Sequence, residues 1–427
     1  MALYTSNGLS SPARSSVGLS VALGMAAVFG LCGFALEARA DAVTDWNIIA
    51  FNTMPPTLQG PPQARVLGYV QAAVFDAVNS VQRKYKFYAV DLKAPGASAE
   101  AAAVTAAHGI LIRFFPAQKA SLDGSLENSL KAISEGQSKS DGINVGRAVA
   151  EQIHAISTKD KADAPVPPYT PGTDPSAWQF TAPGMEPRGL TWGAITPFLL
   201  KSANQFAYPG PLKVGSAEYA KEVEEVRILG GAGSNRRTAE QTAVAIFWVV
   251  SMANVFNDVA RTAAKVKGTS LIENARLFAL LNLAASDSQI ATWDQKFSTN
   301  FLRPVTAIRN AGKLGNPGIT EDTEWTPLLV TPAHPDYPSG HCAYGGAGSK
   351  ILQLFFETDT VDASYTFPPF GVTRRWTSYS QMAQEVGDAR VWGGIHTRTA
   401  DQDADMIGQK IAEYAFANFM RPVAEAK

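Results

Sequence analysis

Apolar residues recur at three- and four-residue spacing through most of this 427-residue chain, whereas alternating apolar and polar runs are sparse. Such spacing places apolar side chains on one face of an α-helix. It predicts helices over about 64–82, 97–115, 216–228, 237–265, 270–300, 341–356, 377–388 and 400–419, with one or two more between 117 and 157. We therefore predict an all-α protein.

A proline-rich stretch from Lys161 to Pro211 interrupts the helical pattern. So long a segment without regular structure is usually a functional or wrapping connection. Four tryptophan and tyrosine residues within it indicate that it packs on the body of the protein: Tyr169, Trp178, Trp192 and Tyr208. We assign it to an N-terminal helical region, 41–235, which precedes a C-terminal helical domain, 236–427.

The first forty residues have the pattern of a signal peptide. Arg14 supplies a positive start, residues 17–35 are apolar, and Ala38-Arg39-Ala40 fits a cleavage site. We expect a secreted or periplasmic protein without a membrane span after cleavage. The alternative, an uncleaved anchor, fits less well because the apolar run is short and rich in Gly and Ala. Cleavage would leave one cysteine, Cys342, which we interpret as a small buried helix residue.

Lys296 and Arg303 are seven residues apart, and seven residues make almost two helical turns. We therefore expect both side chains on one face of a helix. Two neighbouring cations repel each other unless an anion or an acidic group lies between them. The alternative is a solvated charged surface, but Phe297 and Phe301 make this strip too apolar for one. The pair thus favours an anion site.

Two further segments add donors and histidines. Ser339-Gly340-His341 follows a proline and starts a predicted helix, whose N-terminus offers free N–H groups to an anion. The alternative for Ser339 is a plain helix cap. Arg390 and His396 flank two glycines, which allow a tight bend that returns the histidine toward the arginine. Arginine is well suited to gripping oxyanion oxygens.

The three segments together predict a site for a tetrahedral oxyanion, either phosphate or vanadate. The sequence contains no Cys/His cluster with zinc spacing, no close carboxylate pair and no glycine-rich phosphate loop. The formal net charge is −1 and no basic tract is present, so we expect no nucleic-acid partner.

These segments resemble the superfamily of vanadium-dependent haloperoxidases and type 2 phosphatidic acid phosphatases. The superfamily pattern is Lys-x6-Arg-Pro, Pro-Ser-Gly-His and Ser-Arg-x5-His, with serine replaced by Ala389 in this chain. The matching segments are Lys296…Arg303-Pro304, Pro338-Ser339-Gly340-His341 and Ala389-Arg390…His396. Residues 274–293 and the pair Phe247-Trp248 resemble the larger haloperoxidases, so the resemblance covers about 240–420. It implies their helical-bundle fold.

The resemblance also implies a vanadate cofactor, with hydrogen peroxide, a halide and an organic acceptor as reaction partners. It implies that His396 binds vanadium through a ring nitrogen and that His341 is the acid/base. Lys296 would have a second role in polarising bound peroxide. The residues implied to hold the vanadate oxygens are Lys296, Arg303, Ser339, Gly340 and Arg390.

Halide choice is expected to depend on Trp293 and His334. The place of His334 is taken by histidine in bromoperoxidases and by an aromatic residue in fungal chloroperoxidases. Chloroperoxidases also have an acidic partner for the acid/base histidine soon after the Phe-Trp pair, whereas the first acid here is Asp258. We expect His334 to gain a proton at mildly acid pH and His341 to be less basic. Both expectations favour bromide or iodide over chloride.

Two alternatives remain open. One is an acid phosphatase acting on a phosphate ester, in which His396 attacks phosphorus and His341 protonates the leaving group. The other is an inactive oxyanion-binding homologue, against which the complete set of six anion-binding residues argues. The long helical chain and Trp293 favour the haloperoxidase. The sequence leaves the natural substrate and the oligomeric state open.

Overall fold

Fourteen α-helices and one β-hairpin form the regular structure of residues 41–423, the part of the chain that this computed structural model describes. The all-α prediction is confirmed. The predicted signal peptide, residues 1–40, lies outside the described residues. The N-terminal helices are α1 (Ala42–Thr53), α2 (Pro61–Gln82), α3 (Ala99–Phe114), α4 (Lys119–Lys131) and α5 (Gln137–Ser157).

A long connection then leads to the remaining elements. The helices are α6 (Ala217–Gly230), α7 (Ala239–Phe247), α8 (Met252–Lys267), α9 (Leu271–Thr299), α10 (Pro304–Arg309), α11 (Ala311–Leu314), α12 (Gly340–Phe356), α13 (Tyr379–Trp392) and α14 (Arg398–Asn418). The strands are β1 (Thr360–Phe367) and β2 (Val372–Ser378).

Helix α9 is the central element of the fold. It begins at a capping box formed by Ser270 and Glu273, and most of its 29 residues are buried. It packs against α2, α12 and α14. A helix that is buried on all sides belongs to the interior of a protein. Near the C-terminal end of α9, Lys296 therefore points into the core.

The larger hydrophobic core draws side chains from both ends of the described chain, from Val43 to Met420. A smaller core lies around α6 and α10 and includes Tyr219, Leu302 and Trp325. The proposed division into residues 41–235 and 236–427 stays a prediction.

The single helix predicted over 237–265 is wrong, because the chain bends by 93° between α7 and α8. Trp248 ends α7 and Ser251 starts α8. Within residues 41–423 no single helix is long and apolar enough to span a bilayer. Taken together across their bend, α7 and α8 have the length and the apolar composition of a membrane span.

The sequence did not predict the antiparallel hairpin of β1 and β2, where we expected a loop. Val361 and Ala363 alternate with polar residues and are buried. Trp376 of β2 is fully buried and packs 5.7 Å from the Phe247 ring and 5.6 Å from the Trp248 ring. A two-stranded ribbon is marginal by itself, so packing against α7 stabilises it.

The proline-rich segment packs on the body, as predicted. Trp178 is fully buried, and its backbone N–H donates to the carbonyl oxygen of Asn300 at 2.7 Å. Near its end, three consecutive backbone N–H groups, at residues 198–200, donate to the buried carboxylate of Asp287 on α9. The segment is therefore fastened to the C-terminal part of α9 and to the turn that follows it.

Candidate active site

Lys296 and Arg303 meet in the interior, although they do not share a helix. Helix α9 ends at Thr299, and Asn300 adopts a left-handed backbone with φ 48°. Arg303 is extended, with φ −83° and ψ 154°, because Pro304 starts α10 and disfavours a helical residue before it. The expectation that both cations project from one face of a continuous helix was therefore wrong.

Both side chains nevertheless converge on the loop segment 334–336. Lys296 Nζ donates to the carbonyl oxygens of Pro335 at 2.8 Å and Asp336 at 3.0 Å. Arg303 Nε donates to the carbonyl oxygen of His334 at 2.8 Å. Both cations are fully buried. The predicted pairing of the two cations is confirmed, although a turn produces it.

The N-terminus of α12 presents Ser339 and Gly340. Ser339 occupies the cap position, but its hydroxyl caps no backbone N–H, and its buried Oγ has no hydrogen-bond partner. A plain capping role is therefore excluded. A side chain at Gly340 would come within 2.8 Å of the Trp293 ring. The glycine thus lets Trp293 pack directly against the start of α12.

A tight bend joins Arg390 to His396, as predicted. Gly394 has φ 80° and lies against the backbone of Gly230, so a side chain there would be both strained and blocked. Arg390 is buried and donates from Nη1 to the carbonyl oxygen of Trp248 at 3.0 Å. Its Nε has no partner among the described residues.

Asp336 is a site residue that the sequence reasoning missed. Its Oδ1 lies 2.7 Å from His396 Nδ1, close enough for an ion pair, and neither buried atom has a well-aligned hydrogen-bond partner among residues 41–423. Its Oδ2 accepts a hydrogen bond from Thr397 Oγ1 at 3.0 Å. His396 Nε2 lies 3.1 Å from Arg303 Nη1, which can only donate. The proton of neutral His396 therefore belongs on Nδ1, and the Nε2 lone pair faces the cations.

The site carries a surplus of positive charge. Burial, together with repulsion from Arg303, holds the pKa of Lys296 well below its usual value. Burial likewise lowers the pKa of Arg303 to about 10, and it also lowers the pKa of Arg390. Burial raises the pKa of Asp336 to about 6, against the pull of Arg303 and Lys296, so the carboxylate is ionised at neutral pH. A bound anion would relieve the repulsion among the three cations.

His341 lies in the first turn of α12 and is partly exposed. Its ring makes no hydrogen bond or ion pair with residues 41–423. The residues that follow the Phe247-Trp248 pair have other partners: Ser251 donates to Gln63, and Asp258 pairs with Arg261 at 2.7 Å. Burial and the charges of Arg390, Lys296 and Arg303 hold the pKa of His341 well below its usual value. His341 is therefore a neutral imidazole in this site.

His334 is held by Arg303, whose Nη2 lies 3.0 Å from His334 Nδ1. The His334 ring lies 5.2 Å from the Trp293 ring. Burial and the charges of Lys296 and Arg303 hold the pKa of His334 well below its usual value. The expectation that His334 gains a proton at mildly acid pH is therefore wrong, because burial and two neighbouring cations disfavour the charged ring.

Cys342 is a buried helix residue, as interpreted from the sequence. Its Sγ donates to Asp401 Oδ1 at 3.1 Å, and burial together with the Asp401 charge raises the pKa of the thiol. Such a thiol is a poor nucleophile. Residues 41–423 contain no cluster of three or more His, Cys, Asp or Glu side chains suited to a metal cation.

Comparisons with known proteins find similarity to vanadium haloperoxidases. Residues 276–425 match the family model of the VCPO second helical-bundle domain. The vanadium chloroperoxidase of Curvularia inaequalis is 28% identical over 191 residues. The solved structure of the first bacterial vanadium-dependent iodoperoxidase is 26% identical, with a TM-score of 0.74 over 90% of this chain and 97% of that chain. The chain is therefore similar to vanadium haloperoxidases in sequence and in fold.

A holo-type bacterial vanadium-dependent chloroperoxidase has a similar fold. Its identity is 19%, with a TM-score of 0.72 over 90% of this chain and 98% of that one. The match to the Curvularia inaequalis protein is shorter, covering 37% of this chain and 31% of that protein. The chain therefore matches about a third of the length of this curated relative.

Proposed function

We propose that this haloperoxidase-like protein binds vanadate and uses hydrogen peroxide to oxidise a halide. The observation that carries the proposal is the buried cluster of Lys296, Arg303 and Arg390 near His396, whose Nε2 lies 3.1 Å from Arg303 Nη1. A buried cluster of cations is costly unless an anion shares the site. One available nitrogen ligand among oxyanion-binding cations suits vanadate.

The residues present fit this group. Ser339 Oγ and Arg390 Nε are buried donors without a protein partner, so a ligand oxygen can satisfy both. The hydroxyl of Ser339 leaves the first N–H groups of α12 free, and the positive end of the helix dipole favours a negative ligand there. The ligand would thus find donors on three separate elements.

Each side chain has a separate task in the proposed reaction. His396 would bind vanadium through Nε2, while Lys296, Arg303, Arg390, Ser339 and the Gly340 N–H would hold the oxygens. Vanadate, when bound, supplies a Lewis acid that activates hydrogen peroxide toward attack by a halide. The cations keep the surrounding charge positive, and their buried positions exclude bulk water from the bound oxygens.

His341 is the acid/base of this proposal. Its pKa is held low by the three neighbouring cations, so the free ring is neutral and can accept a proton from incoming hydrogen peroxide. Overall, one peroxide, one halide and one proton give one hypohalous acid and one water. The proton held on His341 can pass to the oxygen that leaves as water.

We further propose that bromide and iodide are oxidised in preference to chloride. Chloride is the hardest of the three to oxidise and needs the strongest activation. His341 has no carboxylate partner within residues 41–423, and His334 binds Arg303 through Nδ1. Both features support weaker activation of peroxide toward the halide. The similar solved structures include one of an iodoperoxidase and one of a chloroperoxidase.

A phosphatase activity is the second candidate, and the contact between Asp336 and His396 favours it. A carboxylate at Nδ1 would orient Nε2 for attack on phosphorus. The P–O ester bond would break as the N–P bond formed, and the leaving alkoxide would take a proton from the acid/base, His341. Water activated by His341 would then hydrolyse the phosphohistidine.

From the N-terminal sequence we also propose that the protein is exported and is either secreted or periplasmic. Peroxide, halide, and either an organic acceptor or a phosphate ester would then meet the enzyme outside the cytoplasm.

One assay separates the two activities. Purified protein is stripped of bound oxyanions, and dye bromination with hydrogen peroxide is measured with and without orthovanadate, beside aryl phosphate hydrolysis. We expect bromination that requires vanadate, together with aryl phosphate hydrolysis that vanadate inhibits or that is absent. Hydrolysis without any vanadate-dependent bromination would replace the haloperoxidase proposal with the phosphatase.

A further inference from the structure

The side chain of Arg390 makes a single hydrogen bond with residues 41–423. Its Nη1 donates to the carbonyl oxygen of Trp248, and its Nε has no protein partner. Trp248 caps the C-terminus of α7 before the bend, so its carbonyl oxygen accepts no hydrogen bond from a following helical turn. The position of this one carbonyl therefore fixes the guanidinium.

The ring of Trp248 is fixed from the same helix that carries Arg390. Trp248 Nε1 donates to Glu385 Oε1 at 2.9 Å, and Glu385 precedes Arg390 by five residues on α13. Trp248 is fully buried. Helix α13 thus holds Trp248 at two points, the ring through Glu385 and the carbonyl through Arg390.

The unexpected hairpin supports the Glu385 carboxylate. Arg374 Nη2 lies 2.7 Å from Glu385 Oε2, and Trp376 Nε1 donates to Glu385 Oε1 at 3.0 Å. Arg374 also pairs with Glu240 on α7 at 2.5 Å. Strand β2 therefore provides the charge and the second N–H that hold Glu385 in place.

From these contacts we propose that Glu385 is a positioning residue for the oxyanion site. It acts through Trp248 to aim Arg390 at the bound oxyanion, and the hairpin of β1 and β2 serves this support. The inference rests on the proposed vanadate site, of which Arg390 is one arm. Neither Glu385 nor Trp376 is proposed to touch the ligand.

The test compares two tryptophans that make the same hydrogen bond. Trp248→Phe and Trp376→Phe each remove one N–H donor to Glu385 Oε1, but only residue 248 carries the carbonyl that binds Arg390. Orthovanadate binding is measured by titration calorimetry, with the melting temperature recorded for each variant. We expect Trp248→Phe to weaken binding about tenfold or more, as a lost outer-shell partner does, and Trp376→Phe to stay within about twofold.

Substitutions at the carboxylate complete the test. Glu385→Ala should weaken vanadate binding as Trp248→Phe does, and Glu385→Gln should restore most of it because an amide oxygen can accept the Trp248 N–H. Glu240→Ala removes the other partner of Arg374 and should leave binding unchanged. A double variant, Trp248→Phe with Glu385→Ala, should be no weaker than the weaker single variant.

The outcomes are distinct. Equal losses in the two Trp→Phe variants would make the cluster merely structural and overturn the inference. Unchanged vanadate affinity in Trp248→Phe would also overturn it, even if Glu385→Ala fails to fold. Failure of the unmodified protein to bind vanadate would instead overturn the proposed function on which the inference rests.

Discussion

Asp336 Oδ1 lies 2.7 Å from His396 Nδ1, and this contact leaves Nε2 as the nitrogen that faces the cations. The carboxylate is itself held by Thr397 through its second oxygen. A histidine that binds a metal commonly has its other nitrogen held in this way. Asp336 therefore links the loop before α12 to the loop before α14.

Replacing Asp336 should weaken vanadate binding without removing the binding residues. We expect Asp336→Ala to raise the dissociation constant about 10–100-fold, the usual loss for an outer-shell partner of a histidine ligand. Asp336→Asn should lose less, because its amide oxygen can still accept from Nδ1. Titration calorimetry with orthovanadate measures both. Equal affinity in Asp336→Ala and the unmodified protein would contradict this orienting role.

The two site histidines should separate binding from turnover. His396→Ala should abolish bonding of the protein to vanadium, since no other nitrogen ligand is proposed. His341→Ala should retain vanadate and lose about 10²–10⁴-fold in turnover, the usual contribution of an acid/base. Vanadium-51 NMR and steady-state bromination report the two effects. Similar losses of vanadate affinity in both variants would refute the division of roles.

His334→Phe should change halide choice while keeping vanadate. Phenylalanine removes the contact with Arg303 Nη2, and one hydrogen bond to a charged group is large enough to shift a rate ratio about tenfold. The unmodified protein should oxidise bromide and iodide with little chloride turnover. Values of kcat/KM for the three halides give the test. Efficient chloride oxidation by the unmodified protein would defeat the proposed halide preference.

Asp401 should make stability fall as pH rises. Burial raises its pKa from 3.8 to about 8, against the effects of the neighbouring Cys342, Ser339 and Arg390. Between about pH 4 and pH 8 the native state keeps this proton and the unfolded chain has lost it. The native state therefore loses stability as pH increases through this window, by up to about 1.4 kcal/mol per pH unit.

Asp401→Asn should remove that slope. Denaturant titrations at several pH values between 5 and 8 should show a smaller decline in the free energy of unfolding for the variant than for the unmodified protein. Identical slopes would mean that Asp401 is ionised in the native state at neutral pH.

The motifs predicted the anion site well because each one carries its own local geometry. Gly394 turns the chain between Arg390 and His396, and Ser339 occupies the cap position at the start of α12. The path between Lys296 and Arg303 was less predictable. The prediction from helical spacing did not take Pro304 into account. Proline disfavours a helical conformation in the residue before it, so the helix is interrupted before Arg303 and Pro304.

Asp336 and Glu385 were not predictable, because their roles depend on contacts between distant segments. Asp336 meets His396 sixty residues further on, and Glu385 meets Trp248 from 137 residues away. An acidic residue within the motif segment 334–341 was the one available signal for Asp336. The hairpin was missed because its alternation is short and its support is the aromatic packing against α7.

The most direct test of the account is the structure of crystals soaked with orthovanadate. We predict one vanadium per chain, bonded to His396 Nε2, with its oxygens contacted by the proposed donors: Lys296, Arg303, Ser339, Gly340 and Arg390. Vanadium bound elsewhere, or these side chains well separated around an empty site at saturating vanadate, would contradict it.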